Sequence, residues 1–147
     1  MVTTAIVEAA GTFTQATKTP FAMWLDALRS GDYRQGTGLL RCKDQFCCLG
    51  VSCDIAVEQG VIPEPERDGN TYFYGDGSEE CFLPPEVFAW LGLDTSDPLV
   101  GADGARQFVT HLNDAAGLTF PEIADLLEAT FPHLMTATPA VTPTPTV

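Results

Sequence analysis

The sequence has little positive charge. Lys and Arg together number 7, against 20 Asp and Glu, and the formal net charge is −13 at pH 7. Lys18 and Lys43 are the only lysines. A chain this acidic repels phosphate backbones and anionic lipid, so its charge disfavours nucleic acid and membrane surfaces as partners. The same charge suits a basic patch on a partner protein, and it also serves to keep a chain soluble.

Long apolar runs and paired-cysteine motifs are also lacking. The opening MVTTAIVEAAGT has neither the basic start nor the apolar length of a signal peptide, and no stretch approaches the ~20 apolar residues of a membrane-spanning helix. The 5 cysteines are an odd number and include no C-x-x-C pair. They indicate buried thiols rather than a disulfide framework, so we expect the protein in a reducing cytoplasm.

The stretch from Leu39 to Gly60, LLRCKDQFCCLGVSCDIAVEQG, is the centre of the predicted fold. Its first part contains two apolar-rich runs separated by Lys43 and Asp44, a spacing typical of a hairpin with a two-residue turn. From Cys48 onward the apolar residues follow a helical period, and Gly60 is placed to end the helix in a left-handed cap. Because this segment is apolar on most sides, we expect it to be an enclosed central helix.

Two further helices have complete end signals. Thr19 caps the first, and Pro20 occupies its first turn ahead of apolar residues spaced i, i+3, i+4, i+7. Thr119 and Glu122 form a T-x-x-E capping box for the last helix, which Pro132 ends.

The segment between these helices predicts a second hairpin. Asn70–Tyr74 has the aromatic content of a strand, and Glu80–Leu83 is interpreted as its returning partner. Pro63 and Pro65 disfavour regular structure just before it. Further on, Ala105–Asn113 has the pattern of a helix, and a strand through residues 107–112 is the alternative.

Helices and hairpins alternate here without βαβ spacing, which predicts an α+β fold. We expect a single small domain at residues 19–133, with about four to five helices packed on short antiparallel hairpins. Residues 1–18 are interpreted as an extended N-terminal arm, and the Thr/Pro-rich residues 134–147 as an extended tail.

Two adjacent cysteines are candidates for a catalytic nucleophile. Cys47 or Cys48 would stand at the N-terminus of the central helix, where the helix field lowers the pKa of a thiol. His111 and Asp114 could then supply the base and the orienting acid of a papain-like thiol hydrolase. No oxyanion residue is identifiable, and free cysteines in an apolar helix ordinarily pack as small hydrophobes. These four residues are therefore catalytic candidates only under the hydrolase hypothesis, and packing is the favoured interpretation.

No metal or cofactor is assigned from the sequence. The cysteine spacing has no zinc knuckle, and the acidic loop that begins at Asp76 lacks the ligand register of an EF-hand. Tyr33, Tyr72 and Tyr74 lie near Gly-rich turns and, together with Asp76, are the candidate residues for binding a ligand or partner. Core packing is the alternative for the tyrosines.

Residues 112–128 imitate a helix-turn-helix, since two apolar-periodic segments are joined by a short link that contains glycine. The segment contains no Lys or Arg, and Asp114, Glu122 and Asp125 would face phosphates. We therefore interpret it as an ordinary helical hairpin and expect no binding of nucleic acid.

Several runs resemble a family of small proteins encoded by tailed bacteriophages. They are WLDALRSGDYRQG at Trp24–Gly36, FCCLGVSCDIA at Phe46–Ala56, LPPEVFAWLGL at Leu83–Leu93, and LND with its EIAD helix. The resemblance covers residues 20–130 and implies a phage-encoded protein. It implies no activity, and no catalytic residue can be carried over from it.

Three functions follow from these observations. The favoured one is a non-enzymatic phage accessory protein that binds a host protein or a small ligand in the host cytoplasm, because the chain is small, acidic and without a complete catalytic set. The second is a virion component, such as a decoration or minor capsid or tail protein, with arms ordered by neighbouring subunits. The third is the thiol hydrolase. Self-association into a homo-oligomer is compatible with the first two.

Overall fold

The computed structural model describes residues 18–102 and 104–136. The predicted arm and tail lie almost entirely outside these residues. Within them the helices are α1 (Pro20–Ser30), α2 (Cys48–Glu58), α3 (Pro85–Leu91), α4 (Val109–Asp114) and α5 (Phe120–Thr130), followed by a 3₁₀ turn (Pro132–Leu134). The strands are β1 (Arg34–Gln35), β2 (Arg41–Cys42), β3 (Gln45–Phe46), β4 (Glu66–Asp68), β5 (Thr71–Phe73), β6 (Leu99–Val100) and β7 (Gln107–Phe108). The predicted α+β class and number of helices are confirmed.

Five of the strands form one small mixed sheet in the order β1-β3-β2-β5-β4. The predicted central hairpin is β2–β3, and Lys43 in its turn has φ 57, in the left-handed region that two-residue hairpin turns use. β1 adds to the edge of this hairpin as a parallel partner of β3. The remaining pair, β6 and β7, forms a separate antiparallel ribbon.

The second hairpin differs from the prediction. β5 pairs along its length with β4, in the register Glu66↔Phe73 to Asp68↔Thr71, across a turn that places Gly69 at φ 64. The expected returning strand at residues 80–83 is absent from the described fold, and a single bridge joins Tyr74 to Glu79. The two prolines that disfavoured regular structure lie just before β4, so they do not interrupt its ladder.

The stretch from Ala105 to Asn113 combines its two predicted alternatives. Residues 107–108 form β7, and the helix begins only at Val109. Phe108 pairs with Leu99 in the β6–β7 ribbon, and both side chains are exposed, to 51% and 41%.

Helix α1 packs against both α2 and α5 through its apolar stripe. Thr19 caps α1 by accepting a hydrogen bond from the Ala22 backbone N–H at 3.1 Å, as predicted. The predicted capping box of α5 is also present, with the Thr119 hydroxyl accepting from the Glu122 N–H at 3.3 Å.

Helix α2 is the enclosed centre of the molecule, as predicted. Eight of its eleven residues are buried. At its first turn the backbone of Leu40 passes so close to Gly50 that a Cβ on Gly50 would lie 1.7 Å from the Leu40 carbonyl oxygen. The indole N–H of Trp24 donates to the Cys48 carbonyl at 2.9 Å. These contacts hold the β2–β3 hairpin and α1 against the same helical turn.

A buried amide joins this turn to α4. Asn113 is 2% exposed, and its Oδ1 accepts from the Cys48 N–H at 3.3 Å and from the Gln35 side-chain amide at 2.9 Å. Its Nδ2 donates to the Gly36 carbonyl at 2.9 Å and to Asp114 Oδ1 at 2.7 Å. Asn113 thus caps α2 from another element and holds β1 beside it.

Replacing Gly50 by alanine should destabilise the fold by at least about 3 kcal/mol, because backbone on both sides of the contact has to move. Urea denaturation followed by circular dichroism measures this. Gly77→Ala is the matched control: its Cβ would meet only the flexible end of Glu79, so a change within about 0.5 kcal/mol is expected. Equal stability of the two variants would contradict the close approach at Leu40.

Replacing Asn113 by alanine should cost about 2–4 kcal/mol, since it leaves the buried Cys48 N–H without its hydrogen bond and removes the bonds to Gln35 and Gly36. Asn70→Ala is the control, because Asn70 is exposed and its side chain makes no hydrogen bond within the described residues. Thermal and urea unfolding of both variants give the comparison. An unchanged midpoint for Asn113→Ala would show that the amide is not a structural bridge.

Candidate functional site

A pocket of about 700 Å³ opens where the loop after α1 meets β2, β3 and α2. Acidic, basic and aromatic side chains line it: Asp32, Tyr33, Arg34, Arg41, Asp44, Phe46, Asp54 and Glu58. We call it the Tyr33 pocket. Its walls come from the loop after α1, from strands β1 to β3 with the turn at Asp44, and from the buried central helix.

One corner of the pocket is acidic. The Tyr33 hydroxyl donates to Asp54 Oδ2 at 2.5 Å. Burial, and next the hydrogen bond to Asp54, raise the pKa of Tyr33 above its ordinary value, and Glu58 adds to the effect. Tyr33 therefore remains a neutral hydrogen-bond donor at physiological pH. Asp54 and Glu58 are spaced i, i+4, so both carboxylates lie on one face of α2.

Arg41 lines another part of the pocket and stacks on aromatic rings. Its guanidinium lies 4.0 Å from the ring centroid of Tyr72 and 5.0 Å from that of Phe46, and its Nε donates to the Lys43 carbonyl at 2.8 Å. The other basic residue, Arg34, pairs with Asp44 at 3.0 Å. The remaining three carboxylates of the lining outnumber Arg41, so the pocket keeps a net negative charge.

The four residues predicted to bind a ligand or partner do not form one group. Tyr33 lines the pocket, and Tyr72 borders it through Arg41. Tyr74 is fully buried and its ring belongs to the core, which is the alternative given for the tyrosines. Asp76 lies in a separate depression beside β5, where its backbone N–H donates to Glu86.

The hydroxyl of Tyr74 is fully buried and makes no well-formed hydrogen bond among the described residues, and the Arg41 guanidinium is the neighbouring donor that acts on it. Burial raises the pKa of Tyr74, with a further contribution from Cys53, and the nearby Arg41 guanidinium partly offsets this. The negative charge of Asp54 also raises the pKa of Tyr74. Since Arg41 and Asp54 both line the Tyr33 pocket, the hydroxyl lies behind its inner wall.

The thiols of the hydrolase hypothesis are enclosed. Cys47 stands at the N-cap of α2 as predicted, but it is 3% exposed, and burial raises the pKa of its thiol to about 12. Burial outweighs the field of the helix at this position. Cys48 is fully buried, its pKa is raised for the same reason, and its Sγ faces the Val109 carbonyl at 3.9 Å.

The predicted base and acid are engaged elsewhere. His111 is exposed and, within the described residues, makes no side-chain hydrogen bond to either thiol. Asp114 accepts from the Gly38 N–H at 3.1 Å and from Asn113. This arrangement supplies no thiolate–imidazole pair, which nucleophilic catalysis by cysteine requires.

A second groove, of about 410 Å³, lies beside the β6–β7 ribbon and exposes Leu99 and Phe108. Asp97 in its wall accepts hydrogen bonds from the Thr110 N–H at 3.2 Å and from the Thr110 hydroxyl at 2.6 Å. Burial raises the pKa of Asp97 despite these bonds.

Two further properties concern only residues 18–102 and 104–136. No group of three or more His, Cys, Asp or Glu side chains there is arranged to hold a metal ion. None of the helices there has the length and apolar character needed to cross a membrane.

The family described as a domain of unknown function, DUF8296, matches residues 17–131. The chain belongs to this family. No curated protein matches it, and no solved structure does. The matched residues of the DUF8296 domain include the whole Tyr33 pocket and the Asn113 bridge.

The sequence interpretation missed Asp54, Glu58 and Arg41 as pocket residues. A signal was present, since Asp54 is an acidic residue inside an otherwise apolar helical run, and Arg41 interrupts an apolar strand segment. Charged residues in such positions need a partner or a solvent-facing pocket.

Labelling of the native protein should distinguish packing thiols from a nucleophile. A soluble disulfide reagent should react with the partly exposed Cys42 and Cys81 and leave the three buried thiols protected. All 5 should react after unfolding. The raised pKa of Cys81 should make its reaction slower than that of a free thiol. Rapid labelling of Cys47 or Cys48 in the native state would restore the hydrolase hypothesis.

Proposed function

We propose that this protein is a small, acidic, non-enzymatic accessory protein that binds a basic segment of a partner protein in the Tyr33 pocket. The observation that carries this proposal is the composition of the pocket. Asp32, Asp54 and Glu58 have no cationic partner within the described residues, and they face a wall of aromatic rings. Carboxylates beside aromatic faces suit a basic side chain, which gains ion pairing and cation–π contact together.

The overall charge supports the same kind of partner. A net charge of −13 attracts a basic surface from a distance and speeds the encounter with it. The resemblance to tailed-bacteriophage proteins leads us to propose a phage-encoded protein whose partner is a protein of the infected host. The enclosed thiols favour binding over hydrolysis as the activity.

The test uses a fluorescein-labelled peptide in which Arg and Lys alternate with Gly, and fluorescence anisotropy as the readout. The wild-type protein should bind it, and binding should weaken as salt is added. Asp54→Asn combined with Glu58→Gln should weaken binding at least about tenfold, a loss of about 1.4 kcal/mol, because both carboxylates of the corner are neutralised.

The control variant combines Glu64→Gln with Glu66→Gln. It removes the same two charges at the opposite edge of the sheet, where both residues are exposed. Its affinity should stay within about twofold of wild type, since only long-range attraction is reduced. Equal losses in the two double variants would show that net charge alone holds the peptide. Absence of binding by the wild type would overturn the proposal.

A further inference from the structure

We propose that the Tyr33 pocket selects arginine, and that the guanidinium of the partner lies in the corner formed by Tyr33, Asp54 and Glu58. This inference rests on the function proposed above and names the side chain that the pocket recognises.

The corner offers acceptors in the arrangement that a guanidinium needs. Tyr33 occupies Asp54 Oδ2, and within the described residues nothing bonds to Asp54 Oδ1 or to the Glu58 carboxylate. The two carboxylates are one helical turn apart on the same face of α2. A guanidinium carries five N–H donors in a planar fork and can bond to both, whereas an ammonium is a compact point charge without that plane.

The aromatic wall already holds a guanidinium. Arg41 lies over the rings of Phe46 and Tyr72, at 5.0 Å and 4.0 Å from their centroids. The ring of Tyr33 meets Phe46 edge-on, with centroids 5.1 Å apart and an interplanar angle of 89°. Phe46, on which Arg41 stacks, is therefore in contact with the ring of Tyr33, which borders the acidic corner. Stacking on aromatic rings favours the planar guanidinium of Arg over the ammonium of Lys.

A second, independent observation indicates an occupant. The Tyr74 hydroxyl is fully buried without a well-formed hydrogen bond in the described part of the chain, and two residues that line the pocket act on it, the Arg41 guanidinium as a nearby donor and the Asp54 carboxylate through its charge. A buried polar group in this state costs free energy until something bonds to it. Tyr74 does not itself line the pocket, so a guanidinium bound beside Asp54 can donate to this oxygen only where the Arg41 side chain shifts away from it.

The cations already in the pocket do not exclude another. Arg34 is paired with Asp44 at 3.0 Å, and Arg41 is held on its rings and on the Lys43 carbonyl. Asp32, Asp54 and Glu58 leave a net negative charge even when Arg41 is counted. The acidic corner lies on the α2 side of the pocket, and Arg41 lies on the β2 side.

The test compares two labelled peptides that are identical except that one carries only Arg and the other only Lys. Anisotropy should show about fivefold to tenfold tighter binding of the Arg peptide to the wild-type protein. Asp54→Asn combined with Glu58→Gln should weaken both and remove most of the preference. The Glu64→Gln and Glu66→Gln control should keep it.

A matched pair of tyrosine variants tests the buried hydroxyl. Tyr74→Phe should reduce the preference for Arg about threefold, because one acceptor for the guanidinium is lost. Tyr72→Phe keeps the ring under Arg41 and removes a hydroxyl whose described contact is with Arg67 at 3.5 Å, so it should leave the preference unchanged. Circular dichroism should show both variants folded, since Tyr74→Phe removes a polar group that has no partner.

The outcomes separate this inference from the function on which it rests. If both peptides bind equally and both depend on Asp54 and Glu58, selection of arginine is overturned and binding of basic segments stands. If neither peptide binds, both proposals fall. If Tyr74→Phe and Tyr72→Phe keep the same preference as wild type, the hydroxyl does not contact the bound side chain.

Discussion

The fold depends on how the first turn of α2 is held. Side chains bond both backbone groups of Cys48: the indole of Trp24 donates to its carbonyl, and the amide of Asn113 accepts from its N–H. In the same turn, Gly50 lets the Leu40 carbonyl approach to a distance that no side chain would permit. These contacts come from three distant segments, and the helix is buried, so its orientation cannot change without leaving polar groups unpaired.

The position of the Tyr33 pocket follows from the same turn. Asp54 and Glu58 continue along α2, so the helix that is clamped at Cys48 carries the acidic corner. On the other side, Asn113 accepts a hydrogen bond from Gln35 of β1. This strand begins at Arg34, directly after Tyr33. The amide that caps the helix therefore also holds the segment that brings the tyrosine within 2.5 Å of Asp54. A pocket built on such a support is preorganised for binding.

Elements determined by neighbouring residues could be predicted from the sequence, and those that depend on distant contacts could not. The capping box at Thr119 and the hairpin turn at Lys43 are local, and both are present. The parallel pairing of β1 with β3 and the capping of α2 by Asn113, 65 residues away, leave no local pattern. The same holds for the site. The sequence indicated Tyr33 as a candidate, but its hydrogen-bond partner Asp54 is 21 residues away, within a helix that is otherwise mostly apolar, and no local pattern connects the two.

The acidity of the chain and the chemistry of the pocket act at different ranges. The field of a chain with net charge −13 extends over about 8 Å at physiological salt, and it attracts any basic surface without choosing among them. Selection requires contact, where the half-buried Asp54 and the exposed Glu58 share a pocket with aromatic rings on which Arg41 already stacks. In the proposed complex, the long-range attraction would govern mainly how fast a basic partner arrives, and contacts in the pocket would govern how long it stays. An excess of acid on the surface is therefore insufficient to define the proposed partner, and the pocket geometry fixed by α2 would have to supply the rest.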